Sequence, residues 1–265
     1  MTPPRRPAAR PPRFPDHVTV ALSLAGFLLF WWGLAILKAD PKVLPAPPEV
    51  VADILHEARS GALLANVAVT LRRVALSFVI AMSFGTAIGL FLGRHPGLAR
   101  WLDPWVTVLL NLPALVIIVL CYLWIGLNEV AAITAVALNK TAMVVVTVRE
   151  GVRSVDPALD EMARIYRLGP VARLRHITLP QLAPFLTSSA RNGLAIIWKI
   201  VLVVEFLGRS NGVGFQIHLY FQLFDVAMVM AYAVSFVAVM LAIEMAVIRP
   251  LDIRAGSWRR RAALN

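Results

Sequence analysis

Long apolar runs alternate along this chain with short segments that gather nearly all of its charge. Residues 18–37, 74–93, 105–127 and 226–243 contain no Asp, Glu, Lys or Arg, and residues 130–148 contain only Lys140. A weaker apolar stretch near 183–204 is interrupted by Arg191 and Lys199. A hydrocarbon core about 30 Å thick takes about 20 residues of helix, and a helix satisfies its backbone hydrogen bonds within its own segment. The pattern therefore predicts an all-α membrane protein with about six transmembrane helices. The first run exceeds the roughly 7–15 apolar residues of a signal-peptide core and no small-residue cleavage site follows, so it reads as a retained anchor.

Composition agrees with this reading. Mean hydropathy is +0.73, with 59% hydrophobic and 15% charged residues, which excludes an ordinary soluble domain. The single cysteine, Cys121, lies within an apolar run and leaves no disulfide framework or cysteine-based metal site. A net charge of +11 raises the possibility of nucleic acid, but that partner needs basic residues on one folded surface. Here they alternate with uncharged spans, so lipid is the expected partner and nucleic acid is not.

The placement of these basic residues tests the topology independently of hydropathy. Six spans put both termini on one side, with Arg5, Arg6, Arg10, Arg13, Arg94 and Arg100, six basic residues in 149–181 and five in the C-terminal tail. The other side holds Lys38, Lys42, Arg59, Arg72, Arg73 and Arg209. Seventeen against six makes the richer side cytoplasmic, and both termini with it. Residues 1–16, with six prolines and four arginines, are expected to form a disordered cytoplasmic tail. Residues 17–250 form the transmembrane domain, with its long cytoplasmic loop at 149–181, and 251–265 a basic cytoplasmic tail. On the outer side, Pro47-Pro48 followed by "EVVADILHEARSGALLANVAVTLRR" predicts a short amphipathic helix leading into the second span.

The long loop contains "EMARIYRLGPVARLRHITLPQLAPFL", a charged passage with a helical design. Asp156 can cap a helix whose first residue is Pro157. Asp160 and Glu161 sit near its positive end, Arg164 and Arg167 near the other, and Gly169-Pro170 stops it after about 12 residues. Leu159, Met162, Ala163 and Tyr166 recur at helical spacing, so one face is apolar although the helix stands outside the membrane. Such a face calls for a protein partner, or for the lipid interface that basic amphipathic helices also occupy.

These residues resemble the membrane subunits of ATP-binding-cassette (ABC) importers. Their cytoplasmic loop carries Glu-Ala-Ala, three residues, Gly, nine residues, Ile, one residue and Leu-Pro; Glu161, Ala163, Ile177, Leu179 and Pro180 fall in register. The chain is more narrowly similar to the nitrate/sulfonate/taurine permeases in "LPAPPEVVADI", "LDPWVTVLLNLPAL", "EGVRSVDPALDEMAR" and "KIVLVVEFLGRSNGVGFQI", over about residues 44–250. Two departures stand out. Met162 replaces the first Ala, and Arg167 occupies the family Gly position with Gly169 two residues later, so the helix is expected to run about half a turn longer.

The resemblance implies a type I (MetI-like) permease fold in the bacterial inner membrane. It also implies a second copy of the chain, two ABC ATPase subunits, and a periplasmic or lipid-anchored substrate-binding protein. Asp160, Glu161, Met162, Ala163, Tyr166, Arg167, Gly169 and Pro180 would then form the ATPase-coupling site. No G-x-x-x-x-G-K-[ST] loop is present, so ATP and Mg belong to the partner ATPase and this chain binds no cofactor. Sulfonate, taurine, nitrate, aromatic carboxylates and vitamin precursors are all compatible solutes. A membrane scaffold docking a cytosolic protein and a secondary transporter are the alternatives, the latter opposed by the docking helix and by spans without an inverted repeat.

Catalytic readings find no support. Gly208-Arg209-Ser210-Asn211-Gly212 matches the G-x-S-x-G elbow of hydrolases, but it joins two membrane spans rather than a strand and a helix of a parallel sheet. His56-Glu57 lacks the second His of H-E-x-x-H, Ser60 standing in its place, so no metal site is expected. Polar residues inside spans are the candidate solute pathway: Asn111, Asn139, Lys140, Lys199 and Glu205. Lys140 lies mid-span, where charge costs at least about 2.5–3.5 kcal/mol, so it faces either the pathway or a polar group on a neighbouring helix. Lys199 and Glu205 are about 600° of helix apart and need separate partners. Pro113, with Asn111, is positioned to kink the third span. Gly85, Gly89 and Gly93 make a smooth strip on the second span for close approach of another helix, within one chain or across a dimer.

Overall fold

The computed structural model describes residues 16–248; both expected tails, 1–15 and 249–265, lie outside the described residues. The described residues are all-helical. In order the helices are α1 (Asp16–Lys38), α2 (Pro47–Ser60), α3 (Ala62–Arg94), α4 (Pro96–Asn111), α5 (Ala114–Ile125) and α6 (Glu129–Arg153). Then follow α7 (Pro157–Ile165), α8 (Pro170–Arg173), a π-helical turn (Leu174–Thr178), α9 (Leu179–Gly208), α10 (Val213–Gln222) and α11 (Val226–Ile243), which runs into a second π-turn (Glu244–Ile248).

Among the described residues four helices, α1, α3, α6 and α11, are long and apolar enough to cross a membrane, and α4 with α5 makes a fifth if the bent pair is one span. The expected fifth span, near 183–204, corresponds to α9, 30 residues long but carrying Arg191, Lys199 and Glu205. The third expected span is not one rod: α4 and α5 meet at 97°. Pro113 has no N–H to continue the helix, and its ring drives Leu112 into extended backbone at φ −69°, ψ 126°.

The bundle is built around α3, α6 and α9. Gly85, Gly89 and Gly93 of α3 face Val144, Val148 and Val152 of α6, so the two helices run parallel in register. A Cβ on Gly85 would stand 2.5 Å from Val144 Cβ, and one on Gly89 would stand 2.8 Å from the Val145 carbonyl. The glycine strip thus serves packing within the chain, where only a missing side chain allows this approach. Helix α9 runs the other way along α6: Gly208 meets Tyr122 and Leu127, Gly193 meets Lys140, and Gly151 of α6 meets Leu182 and Phe185. Ile117, Ile118, Ala135, Val136, Ile197, Val201 and Phe236 fill the core between these elements. By contrast α1 is almost wholly exposed, with Leu29, Phe30 and Ile36 on its surface, as suits a helix surrounded by lipid or another subunit.

The expected amphipathic helix is α2, separated from α3 by Gly61 at φ 81°. It packs on the start of α11, where Tyr232 Oη donates to Glu57 at 2.5 Å.

Candidate functional site

Helix α7 stands in the connection between α6 and α9, at the end of the bundle where α3 also finishes. Asp156 Oδ1 accepts the Ala158 N–H at 2.9 Å, and the Asp156 N–H reaches Gln181 Oε1 at 3.1 Å, so the N-terminus is capped and tied to α9. Arg94 donates to Thr178 Oγ1 at 3.3 Å and fastens the π-turn to α3. Asp103 of α4 pairs with Arg149 of α6 at the same end.

The helix does not run the extra half turn that its sequence suggested. It ends at Ile165, and the Leu168 N–H closes back on the Ala163 carbonyl at 2.9 Å. Arg167 supplies the closing left-handed residue at φ 48°, the conformation for which glycine is the unstrained choice. Gly169 does not take over that role, having φ −61° as the residue before α8.

The faces of α7 divide sharply. Ala163 is 1% exposed and turned to the protein, whereas Ile165 is 78% exposed; beyond the helix end Tyr166 is 74% exposed, and Val171 of α8 75%. Leu159 and Met162 are each more than a third exposed, and Glu161 is exposed beside them. Pro180 lies in the first turn of α9. The side chains of Asp160 and Arg164 lie outside the described residues.

The pathway candidates are dispersed. Asn111 is exposed and donates to the Thr107 carbonyl of its own helix, and Asn139 is half-buried. Lys140 is 1% exposed, packed against Gly193, with Nζ 2.7 Å from Met143 Sδ one turn along α6. Lys199 is exposed on α9. Glu205 lies about 18 Å along α9 from the Gly193 that touches Lys140.

Glu205 instead belongs to a buried ion network at the end of the bundle opposite α7. Arg73 of α3 is 1% exposed and Glu205 0%. Arg73 Nη1 donates to Glu205 Oε1 at 2.6 Å and to the Asn211 carbonyl at 2.8 Å, Nε donates to Glu129 Oε2 at 3.0 Å, and Nη2 to Glu129 Oε1 and Asn211 Oδ1. Arg209 adds bonds to Glu129 Oε1 and the Leu127 carbonyl, each 2.9 Å. Three successive N–H groups, of Gly212 and the first two residues of α10, then end on side chains: Gly212 on Asn66 Oδ1 at 2.8 Å, Val213 on Thr70 Oγ1 and Gly214 on Glu205 Oε2 at 2.9 Å each. Gly212 sits at φ 105°, and a Cβ there would collide with the Glu205 carboxylate at 2.4 Å. The G-x-S-x-G segment is therefore an anchoring loop folded around an internal carboxylate.

Sequence reasoning missed Arg73 as the partner of Glu205, because 132 residues separate them. One signal was available. Asn66, Thr70, Arg73 and Ser77 recur at spacings of four, three and four on a largely apolar helix, a polar stripe that a bundle interior must satisfy.

A family model described as "Binding-protein-dependent transport system inner membrane component" matches residues 85–249. The putative aliphatic sulfonates transport permease protein SsuC of Bacillus subtilis (strain 168) is 31% identical over 185 residues, covering 70% of this chain and 66% of its own length. The chain thus spans just under two thirds of that relative. The taurine transport system permease protein TauC of Escherichia coli (strain K12) is 28% identical, covering 77% and 78%. The nitrate import permease protein NrtB of Synechococcus elongatus is 22% identical over 216 residues, covering 78% and 77%. Among solved structures, an amino acid ABC transporter superposes with a TM-score of 0.61 at 18% identity over 74% of this chain and 95% of its own. The MetNI methionine ABC transporter in an inward-facing form gives 0.58 at 19% over 73% and 98%. At such identities the structural likeness shows the fold.

Proposed function

Because this chain belongs to the family of binding-protein-dependent transport system inner-membrane components, a family of transport subunits and not of enzymes, we propose that it is the permease of an ABC importer. Its place is the bacterial inner membrane, with both termini in the cytoplasm. Two copies enclose the pathway, two separate ATPase subunits hold ATP and Mg, and a periplasmic or lipid-anchored binding protein delivers the solute. The relatives named for sulfonate, taurine and nitrate support a small anion as cargo.

The observation that carries this reading is the exposed apolar surface at the end of α7, with Ile165 as its last residue and Tyr166 just beyond it, each about three quarters exposed. Apolar side chains at that density need a partner surface, and Glu161 beside them adds a charge for orientation. Closure of the ATPases on ATP would press the two α7 helices together and rock the spans that follow them.

Glu161→Lys reverses the orienting charge, and Met162→Asp places a carboxylate on the contact face, where burial without a partner costs several kcal/mol. Both variants should insert and dimerise yet lose the ATPase on co-purification, while Arg5→Ala retains it. Normal ATPase binding by both loop variants would refute the docking assignment and favour a helix lying on lipid.

A further inference from the structure

The two ends of this chain do different work in an importer, and the connection between them is physical. At the inner end, the cap of α7 meets α9 through Asp156 and Gln181, and the π-turn that leads into α9 meets α3 through Thr178 and Arg94. Along the middle, the seam of glycines on valines fixes α3 to α6. At the outer end, the side-chain hydrogen bonds of residues 209–214 converge on three spans. Asn66, Thr70 and Arg73 come from α3, Glu129 from the start of α6, and Glu205 from the last turn of α9.

Arg73 is the hub of this arrangement. Its guanidinium holds two carboxylates and Asn211 at once, each from a different segment, a task that the fork geometry of arginine performs and a lysine point charge does not. The cost of burying these charges is high, and apolar residues of similar size would fill the space with less penalty. Stability alone therefore does not account for the choice, whereas fixed geometry does.

We propose that Arg73 and Glu205, braced by Thr70, Glu129 and Asn211, are positioning residues that couple the outer loop 208–225 to the spans, so that movement imposed at α7 reaches the outer mouth. This rests on the importer reading above. With the clamp intact, α3, α6, α9 and the loop shift together. With it loosened, the inner end still answers ATP and the outer loop no longer follows.

Distances between identical spin labels in the two copies, measured on the complex with its ATPase, test this. One label goes at Ser154, in the turn that leads into α7 and outside its docking face, and another, in a separate preparation, at Leu223 beside α10, both exposed and both on a Cys121→Ala background. The probe is ATP with Mg and vanadate. In the otherwise unmodified chain both distances should shift on trapping. In Arg73→Lys and in the near-isosteric Thr70→Val, the Ser154 shift should persist and the Leu223 shift should be lost; Thr70→Ser, which keeps the hydroxyl, should restore it. A normal Leu223 shift in Thr70→Val and Arg73→Lys overturns the proposal. Failure of both to assemble with the ATPase also overturns it, in favour of a purely structural role. If the unmodified chain shows no Ser154 shift, the importer reading itself fails, which is a separate result.

Discussion

Replacing Arg73 by Met strips the buried ion network of its hub, leaving Glu205 without a cation and Glu129 without its main donor. Glu205, fully enclosed, keeps only the Thr70 hydroxyl and the Gly214 N–H, and Glu129 keeps Arg209. Removing one partner of a buried pair costs about 3–5 kcal/mol, and a second carboxylate losing its main donor places Arg73→Met at the upper end of that range. Glu205→Met is milder. Arg73 then still holds Glu129 and Asn211, so the loss is one charge-assisted bond, about 1.5–3 kcal/mol, plus the orphaned Gly214 N–H. In the double variant the uncompensated Glu205 charge is gone, so its loss should fall short of the sum of the single losses by about 1–3 kcal/mol. Thermal unfolding of the detergent-purified chain, followed by fluorescence-detected size exclusion, measures all three variants. Additive losses, or a Glu205→Met protein less stable than Arg73→Met, would refute the assignment of Arg73 as hub.

Two further outcomes are expected from the backbone. Arg167→Gly removes the Cβ from a residue at φ 48° and should stabilise the end of α7 by up to about 1 kcal/mol, read as slower hydrogen exchange at the Leu168 amide; faster exchange would show that the arginine side chain matters more than its backbone. Gly89→Leu forces a side chain against the Val145 carbonyl and Val148, and should cost at least about 1–3 kcal/mol and lower the yield of folded protein. Gly97→Leu, where nothing lies within 4 Å, should not.

The number and placement of the apolar runs, and the charge between them, are properties of composition and spacing. They are therefore legible in the chain alone. All-helical architecture follows from them, because lipid leaves backbone groups no other donor or acceptor. The cap at Asp156, the apolar face of α7 and the break at Pro113 are likewise local, each depending on residues within a few positions of one another. Family membership was legible for the same reason, since its motifs are short and ordered.

What the tertiary structure decided lies between residues far apart in the chain. Gly85, Gly89 and Gly93 announce a close approach, but the identity of the facing helix depends on which valines come within reach, and those are about 59 positions away on α6. Arg167 looked like a helix continuer by its residue type. The Leu168 bond to Ala163 overrode that propensity and held it in a left-handed turn. Most of all, Arg73 and Glu205 looked like a surface cation and a pathway carboxylate. Only the packing of α3 against α9 removes both from solvent, and once water is excluded each becomes the partner that the other requires.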